Sequence, residues 1–230
     1  MEIYKAAQII ECPDGIKIFR LVPISGKNID FKPGQFVMLH LLDKSGQSID
    51  KRPYSVASAP GDEHIELAIK NVNGRFTSKL WGLKAGERVG VEGPFGHFVF
   101  NNEKKAVFIA GGVGITPLLS MLRHIARNNL AGDYFLLYSC KTKNAILYEE
   151  ELKKLGRAGI KIKIFLTRET SPVKEYEIGR MDADKIRKHI KNPEDYIYFM
   201  CGPLAMITAL KENLMKIGVP ESSIKFEGWG

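Results

Sequence analysis

The chain changes rhythm near residue 100. Before it, short strand-like runs occupy 15–22 and 36–42, and polar and apolar positions alternate cleanly at 64–70. A period of two marks half-buried strands. Turn residues punctuate them at Pro13-Asp14-Gly15, Pro33-Gly34, Pro60-Gly61, Asn73-Gly74 and Gly93-Pro94. About six such strands predict a small antiparallel barrel, interrupted by one helix over 77–81. After Lys104 the pattern changes. Near-continuous apolar strands at 106–110, 134–138, 160–166, 196–200 and 224–227 alternate with helical stretches opening near Pro117, Tyr148, Asp182 and Pro203. That alternation predicts a doubly wound parallel sheet, which binds ligands beyond the carboxyl ends of its strands. The polar joint Asn101-Asn102-Glu103-Lys104-Lys105 places the domain boundary, giving 1–100 and 101–230.

Composition narrows the function classes. A hydrophobic content of 44% with 26% charged residues is globular. No run approaches the roughly 18 apolar residues of a membrane span, and the first residues lack a signal-peptide core. A cytoplasmic location is the expectation. Cys12, Cys140 and Cys201 are too few and too scattered for a disulfide framework, a zinc site or an iron–sulfur cluster, so no metal is expected. The net charge of +8 favours acidic partners. The lysines are spread along the whole chain, so a nucleic-acid face is not predicted.

Four stretches carry candidate chemistry. Arg52-Pro53-Tyr54-Ser55 puts a guanidinium and an aromatic on one side of a strand and a hydroxyl on the other. The set suits a ligand with phosphate and a ring, or else is a solvated edge strand. Asn73-Gly74-Arg75-Phe76-Thr77-Ser78 reads as a turn opening a helix, where Thr77 and Ser78 can cap and can donate to phosphate. Ala110-Gly111-Gly112-Val113-Gly114-Ile115-Thr116-Pro117 joins a strand to a helix N-terminus and fits a pyrophosphate, although Pro117 stands where the dinucleotide fingerprint has its third glycine. Cys201-Gly202-Pro203 ends a buried strand, where Cys201 is equally a small core residue.

Arg52-Pro53-Tyr54-Ser55, Gly93-Pro94-Phe95-Gly96, the Gly111–Pro117 loop and Cys201-Gly202-Pro203 with Met206 resemble, in order and spacing, the ferredoxin–NADP⁺ reductase superfamily. The resemblance covers nearly the whole chain. It implies an antiparallel Greek-key flavin-binding barrel (1–100) followed by a nicotinamide-nucleotide domain (101–230). Arg52 would then pair with flavin phosphate, Pro53 and Tyr54 would seat the ring, and Ser55 would bond near flavin N5. Gly74, Arg75, Phe76, Thr77 and Ser78 would form a diphosphate loop, which favours FAD over FMN. Gly112, Gly114, Thr116 and Pro117 would meet the nicotinamide nucleotide. Cys201, Gly202, Pro203 and Met206 would lie at its nicotinamide end, with Cys201 and Ser55 nearest the chemistry. No histidine base accompanies Cys201, so covalent attack is not expected.

Thr167-Arg168 resembles the pair with which NADP-preferring relatives hold the 2′-phosphate, and NADP(H) is expected over NAD(H). Glu169 keeps the acidic, NAD-type option open. Two departures stand out. Ile207 replaces the glutamate of plant-type relatives, leaving Glu227 as a substitute, and Trp229 is followed by Gly230 instead of ending the chain. Trp229 would stack on the flavin or plug the last strand. The expected activity is electron transfer between NAD(P)H and an acidic one-electron carrier, ferredoxin or flavodoxin. The alternatives are an NAD(P)H:flavin reductase, an oxygenase reductase component, or a flavin-carrying subunit of a larger complex.

Overall fold

The computed structural model describes residues 1–171 and 174–229, the last without its side chain. Two compact units form: Met1–Phe100 with Leu119–His124, and the remainder of the chain.

In the first unit, β1 (Glu2–Cys12), β2 (Ile16–Pro23), β3 (Phe36–Leu42), β4 (Ser48–Ser55), β5 (Ile65–Lys70) and β6 (Arg88–Phe95) pair antiparallel in the order β4-β3-β6-β1-β2-β5. Past β4 the chain bonds both ways. Val56 N–H donates to Gln35 C=O (3.0 Å) and Ala57 N–H to Glu66 C=O on β5 (2.8 Å). The two outer strands of that order are thereby linked, as in a barrel. Tyr4, Phe19, Leu39, Ile65, Leu67 and Val91 fill the interior. The helix α1 (Arg75–Trp81) adds Phe76 and Leu80 to it.

Two local expectations need correcting. β6 runs straight through Gly93-Pro94, where a turn was expected; Gly93 has φ 154°, and a Cβ there would sit 3.2 Å from Val37 Cγ1. Helix α1 begins at Arg75, not Thr77, because Asn73 takes the left-handed turn (φ 55°) and Gly74, in extended conformation, is the N-cap. Thr77 and Ser78 therefore do not cap. The Thr77 hydroxyl donates back to Gly74 C=O (3.2 Å), and Ser78 N–H closes the first turn on the same carbonyl (2.9 Å).

The second unit contains β7 (Lys105–Gly111), β8 (Asp133–Cys140), β9 (Lys161–Leu166), β10 (Glu177–Ile178), β11 (Ile197–Pro203) and β12 (Ile224–Trp229), all parallel, in the order β10-β9-β8-β7-β11-β12. Its helices are α2 (Ile115–Arg127), α3 (Glu149–Arg157), α4 (Ala183–His189) and α5 (Leu204–Lys216). The chain winds outward from β7 to β10, then returns to place β11 and β12 on β7's other side. The order reverses between β7 and β11, so a crevice is expected beyond their carboxyl ends. Ala106–Ala110 are fully buried, as a strand covered on both faces requires. Among the described residues no helix is long and apolar enough to cross a membrane.

Candidate cofactor-binding sites

In the first unit, β4 and α1 bring the first two motifs together. Arg52 and Tyr54 share a face of β4 and both reach Phe76. The Arg52 guanidinium lies 5.7 Å from its ring centroid, and the Tyr54 ring 5.9 Å away. Phe76 itself is buried and serves as their floor, with little surface for a ligand. Arg52 is exposed but engaged: Nη1 donates to Asp50 Oδ1 (2.7 Å) and to Lys51 C=O (2.6 Å). Burial raises the Tyr54 phenol to about 12, partly opposed by the Arg52 charge. Among the described residues neither that phenol nor the Ser55 hydroxyl has a hydrogen-bond partner, although both side chains are half-buried. Pro53 is exposed on the same strand, where it removes only one donor from an outer strand. Arg75 and Ser78 are exposed at the start of α1. At Gly74 an added Cβ would touch Val72 Cγ2 at 3.7 Å and Thr77 Oγ1 at 3.9 Å, ordinary contacts that would leave a side chain unstrained.

In the second unit, β7 and β11 end side by side, with Cys201 opposite Ala110. A Cβ at Gly111 would come 2.7 Å from Met206 Sδ, and one at Gly202 would come 3.2 Å from Gly111 Cα. Met206 therefore lies over a glycine contact that larger residues would force apart. Gly112 differs: φ is 53° and nothing lies within 4 Å of an added Cβ. Its carbonyl accepts from the Tyr138 hydroxyl (3.0 Å). Gly114, Thr116 and Pro117 are buried as the loop becomes α2, and the Thr116 hydroxyl donates to Val113 C=O (2.6 Å). Pro203 is exposed at the N-cap of α5. Burial, with the Glu227 charge adding to it, raises the Cys201 thiol well above its ordinary range, so it carries no thiolate. Glu227 faces Cys201 across β11–β12 and is itself raised by burial. Ile207 is core. The Trp229 side chain lies outside the described residues.

Thr167 and Arg168 extend the β8–β9 pairing: their N–H groups donate to Cys140 C=O (2.9 Å) and Lys141 C=O (2.8 Å). The Thr167 hydroxyl already donates to Cys140 C=O (3.2 Å). The Arg168 side chain is exposed and has no partner among the described residues. Glu169 accepts from Lys143 N–H (3.0 Å), so its carboxylate is tied to the neighbouring loop. Thr167 also lines a cavity of about 300 Å³ with Ser139, Arg180, Met181 and Met206. Ser139 and Arg180 escaped the sequence reading. The available signal was Gly179-Arg180, a glycine (φ 92°) that turns the chain directly after β10.

Residues 7–100 match the profile of an oxidoreductase FAD-binding domain, and 108–212 that of an oxidoreductase NAD-binding domain. The chain belongs to the ferredoxin–NADP⁺ reductase superfamily. Relatives in sequence include flavohemoprotein A of Dictyostelium discoideum (28% identity over 96% of this chain) and the reductase component of propane 2-monooxygenase from Rhodococcus jostii (29% over 90%). The chain spans 58% of the length of each. Among solved structures, the flavohem-like FAD/NAD-binding domain of a Vibrio cholerae nitric oxide dioxygenase superposes with TM-score 0.89 at 22% identity, covering 100% of this chain and 98% of that one. A Neisseria gonorrhoeae ferredoxin NADP⁺ reductase gives 0.84 at 19%, covering 98% and 97%. At identities this low, the superpositions show a shared fold.

Proposed function

We propose that this superfamily member is a flavin-dependent reductase that takes electrons from NADPH, in preference to NADH, and passes them to an acidic one-electron carrier of the ferredoxin or flavodoxin kind. The observation that carries this reading is on β4, where an unpartnered Ser55 hydroxyl and Tyr54 phenol flank the Arg52 strand. Polar groups left half-buried and unbonded point to a ligand that bonds them.

FAD fits these residues. Arg52 and the opening turn of α1 at Gly74–Ser78 would hold its diphosphate, Tyr54 would pack on its ring, and Ser55 would offer a hydroxyl at its reactive edge. Bound FAD would supply the exchange between hydride transfer and single-electron transfer. The nicotinamide nucleotide fits the second unit, where Gly112 leaves its backbone open and Arg168 presents a free guanidinium. The protonated, buried Cys201 shapes the nicotinamide end without attacking it. Glu227 keeps its proton to higher pH than an ordinary carboxylic acid. The overall positive charge would steer an acidic carrier.

A second reading, delivery of electrons to an oxygenase, is favoured by the likeness to a monooxygenase reductase component and to flavohemoproteins. Purified protein that stays yellow through gel filtration, and bleaches anaerobically with NADPH, supports the reductase assignment. Failure of NADPH to bleach a retained flavin would refute it. Comparing reoxidation by ferredoxin, flavodoxin and an oxygenase component separates the two acceptors.

A further inference from the structure

We infer that Ser120 and Arg123 are positioning residues for the flavin-binding strand, acting through the buried carbonyls of Ser58 and Ala57. This rests on the flavin seat proposed above. Strand β4 ends at Ser55, and the next residues leave its ladder. Ala57 and Ser58 are completely buried, and although β5 lies beside them, among the described residues no strand N–H donates to their carbonyls. Side chains from the α2 segment that belongs to the first unit take that place. Ser120 Oγ donates to Ser58 C=O (2.7 Å), and Arg123 Nη1 donates to Ala57 C=O (2.8 Å).

Glu66 completes the clamp. Its Oε1 accepts from Arg123 (2.8 Å), its Oε2 from Arg20 Nε (2.8 Å), and its N–H donates to Ser58 Oγ (3.1 Å). Ser58 is therefore gripped at both its carbonyl and its hydroxyl. The consequence falls on Tyr54 and Ser55, which have no side-chain hydrogen bonds of their own among the described residues. Ser55 takes its direction from the backbone and Tyr54 from the backbone and its packing on Phe76, and a strand that twists or slips re-aims its side chains. Fixing the peptides two and three residues beyond Ser55 fixes where its hydroxyl points. Ser120 is fully buried and lies outside the proposed flavin seat, so it acts only through this backbone.

The test uses the full chain with Ser120→Ala, Arg123→Ala and Arg123→Lys. FAD affinity is read by fluorescence titration, the reduction potential of bound flavin by dye equilibration, and folding by thermal melts. The expected result is FAD binding weakened about ten-fold in Ser120→Ala, the scale of one lost hydrogen bond, with a shifted potential and a melting temperature lowered by only several degrees, so that the protein is still folded at the assay temperature. Arg123→Lys, which can still reach one carbonyl, should fall between wild type and Arg123→Ala. Variants that melt earlier but keep wild-type affinity and potential would overturn the inference, leaving only a structural clamp. If Arg123→Ala does not fold, Ser120→Ala decides alone. Wild-type protein that binds no FAD would bring down the proposed function and this inference with it. Wild-type binding with unchanged variants overturns this inference only.

Discussion

Arg168→Ala should separate the two nicotinamide nucleotides. The guanidinium is exposed and has no partner among the described residues, whereas its neighbours are committed: the Thr167 hydroxyl donates to Cys140 C=O and Glu169 accepts from Lys143 N–H. A 2′-phosphate thus finds one ready donor at the end of β9. A hydrogen bond to a charged group contributes roughly 1.5–3 kcal/mol, and exposure places this one near the lower limit. At about 1.4 kcal/mol per decade, that is roughly a ten-fold weaker affinity for NADPH. NADH, which lacks the phosphate, should change by less than about two-fold on the same scale. Titration of the oxidised protein with NADP⁺ and NAD⁺ measures this directly, and steady-state KM values follow it. Salt gives a second check: wild-type affinity for NADPH should fall as ionic strength rises, more steeply than in Arg168→Ala. Equal losses for both nucleotides, or identical salt dependence, would refute the phosphate assignment.

Other substitutions probe the clamp, the β12 carboxyl and the flavin strand. Burial alone would raise Glu66, but the Arg123 charge and bonds from both arginines outweigh it, so its carboxyl is held low. Glu66→Gln removes the carboxylate paired with the buried Arg123, while Arg20, which is more exposed, can rehydrate. A loss of about 3 kcal/mol follows, about 6–12 °C in melting temperature for a chain this size. Because the folded pKa lies below the unfolded one, that stability is present at neutral pH and fades as pH falls below 4.5; a pH-independent difference in melts would contradict the ion-pair account. Glu227 behaves oppositely. Its folded pKa is raised by burial, so its charge destabilises the fold as pH rises past 4.5, and Glu227→Gln should melt higher at pH 8 but not at pH 4. Asp50→Asn frees Arg52 from an exposed pair worth up to about 1 kcal/mol, so FAD should bind up to about five-fold tighter. Weaker binding would mean that Asp50 orients Arg52 instead of competing for it.

The fold was largely legible because both halves repeat one local rhythm many times. β3 occupies 36–42, the apolar run read as a strand, and the helices after β8 and β11 start within a residue of Tyr148 and Pro203. The errors arise where a side chain's usual role misleads. Thr77 and Ser78 look like caps, yet the cap is Gly74, which has no side chain to announce it. Gly93-Pro94 looks like a turn, yet the strand passes through it. The site was legible as motifs but not as contacts. Asp50 stands two residues before Arg52 on the same strand, so its claim on the guanidinium could have been foreseen from period two alone. The Glu66–Arg123 pair joins residues 57 positions apart, and no local pattern encodes it.

The glycines at the sheet's reversal point do two different kinds of work. Gly111 and Gly202 answer to the packing around them, since a side chain on either would force its neighbours to move. A side chain on either would collide with Met206, and one on Gly202 would also push into the Gly111 backbone. They let β7 and β11 end in close contact under Met206. Gly112 meets no such constraint from its neighbours, since the space beside it is open. Its left-handed backbone aims the loop away from the strand, and its missing side chain leaves the peptide uncovered. A turn alone could use asparagine, as Asn73 and Asn129 do in this chain. Glycine at 112 supplies the turn and leaves the space beside the backbone open, which suits the proposed contact with a pyrophosphate.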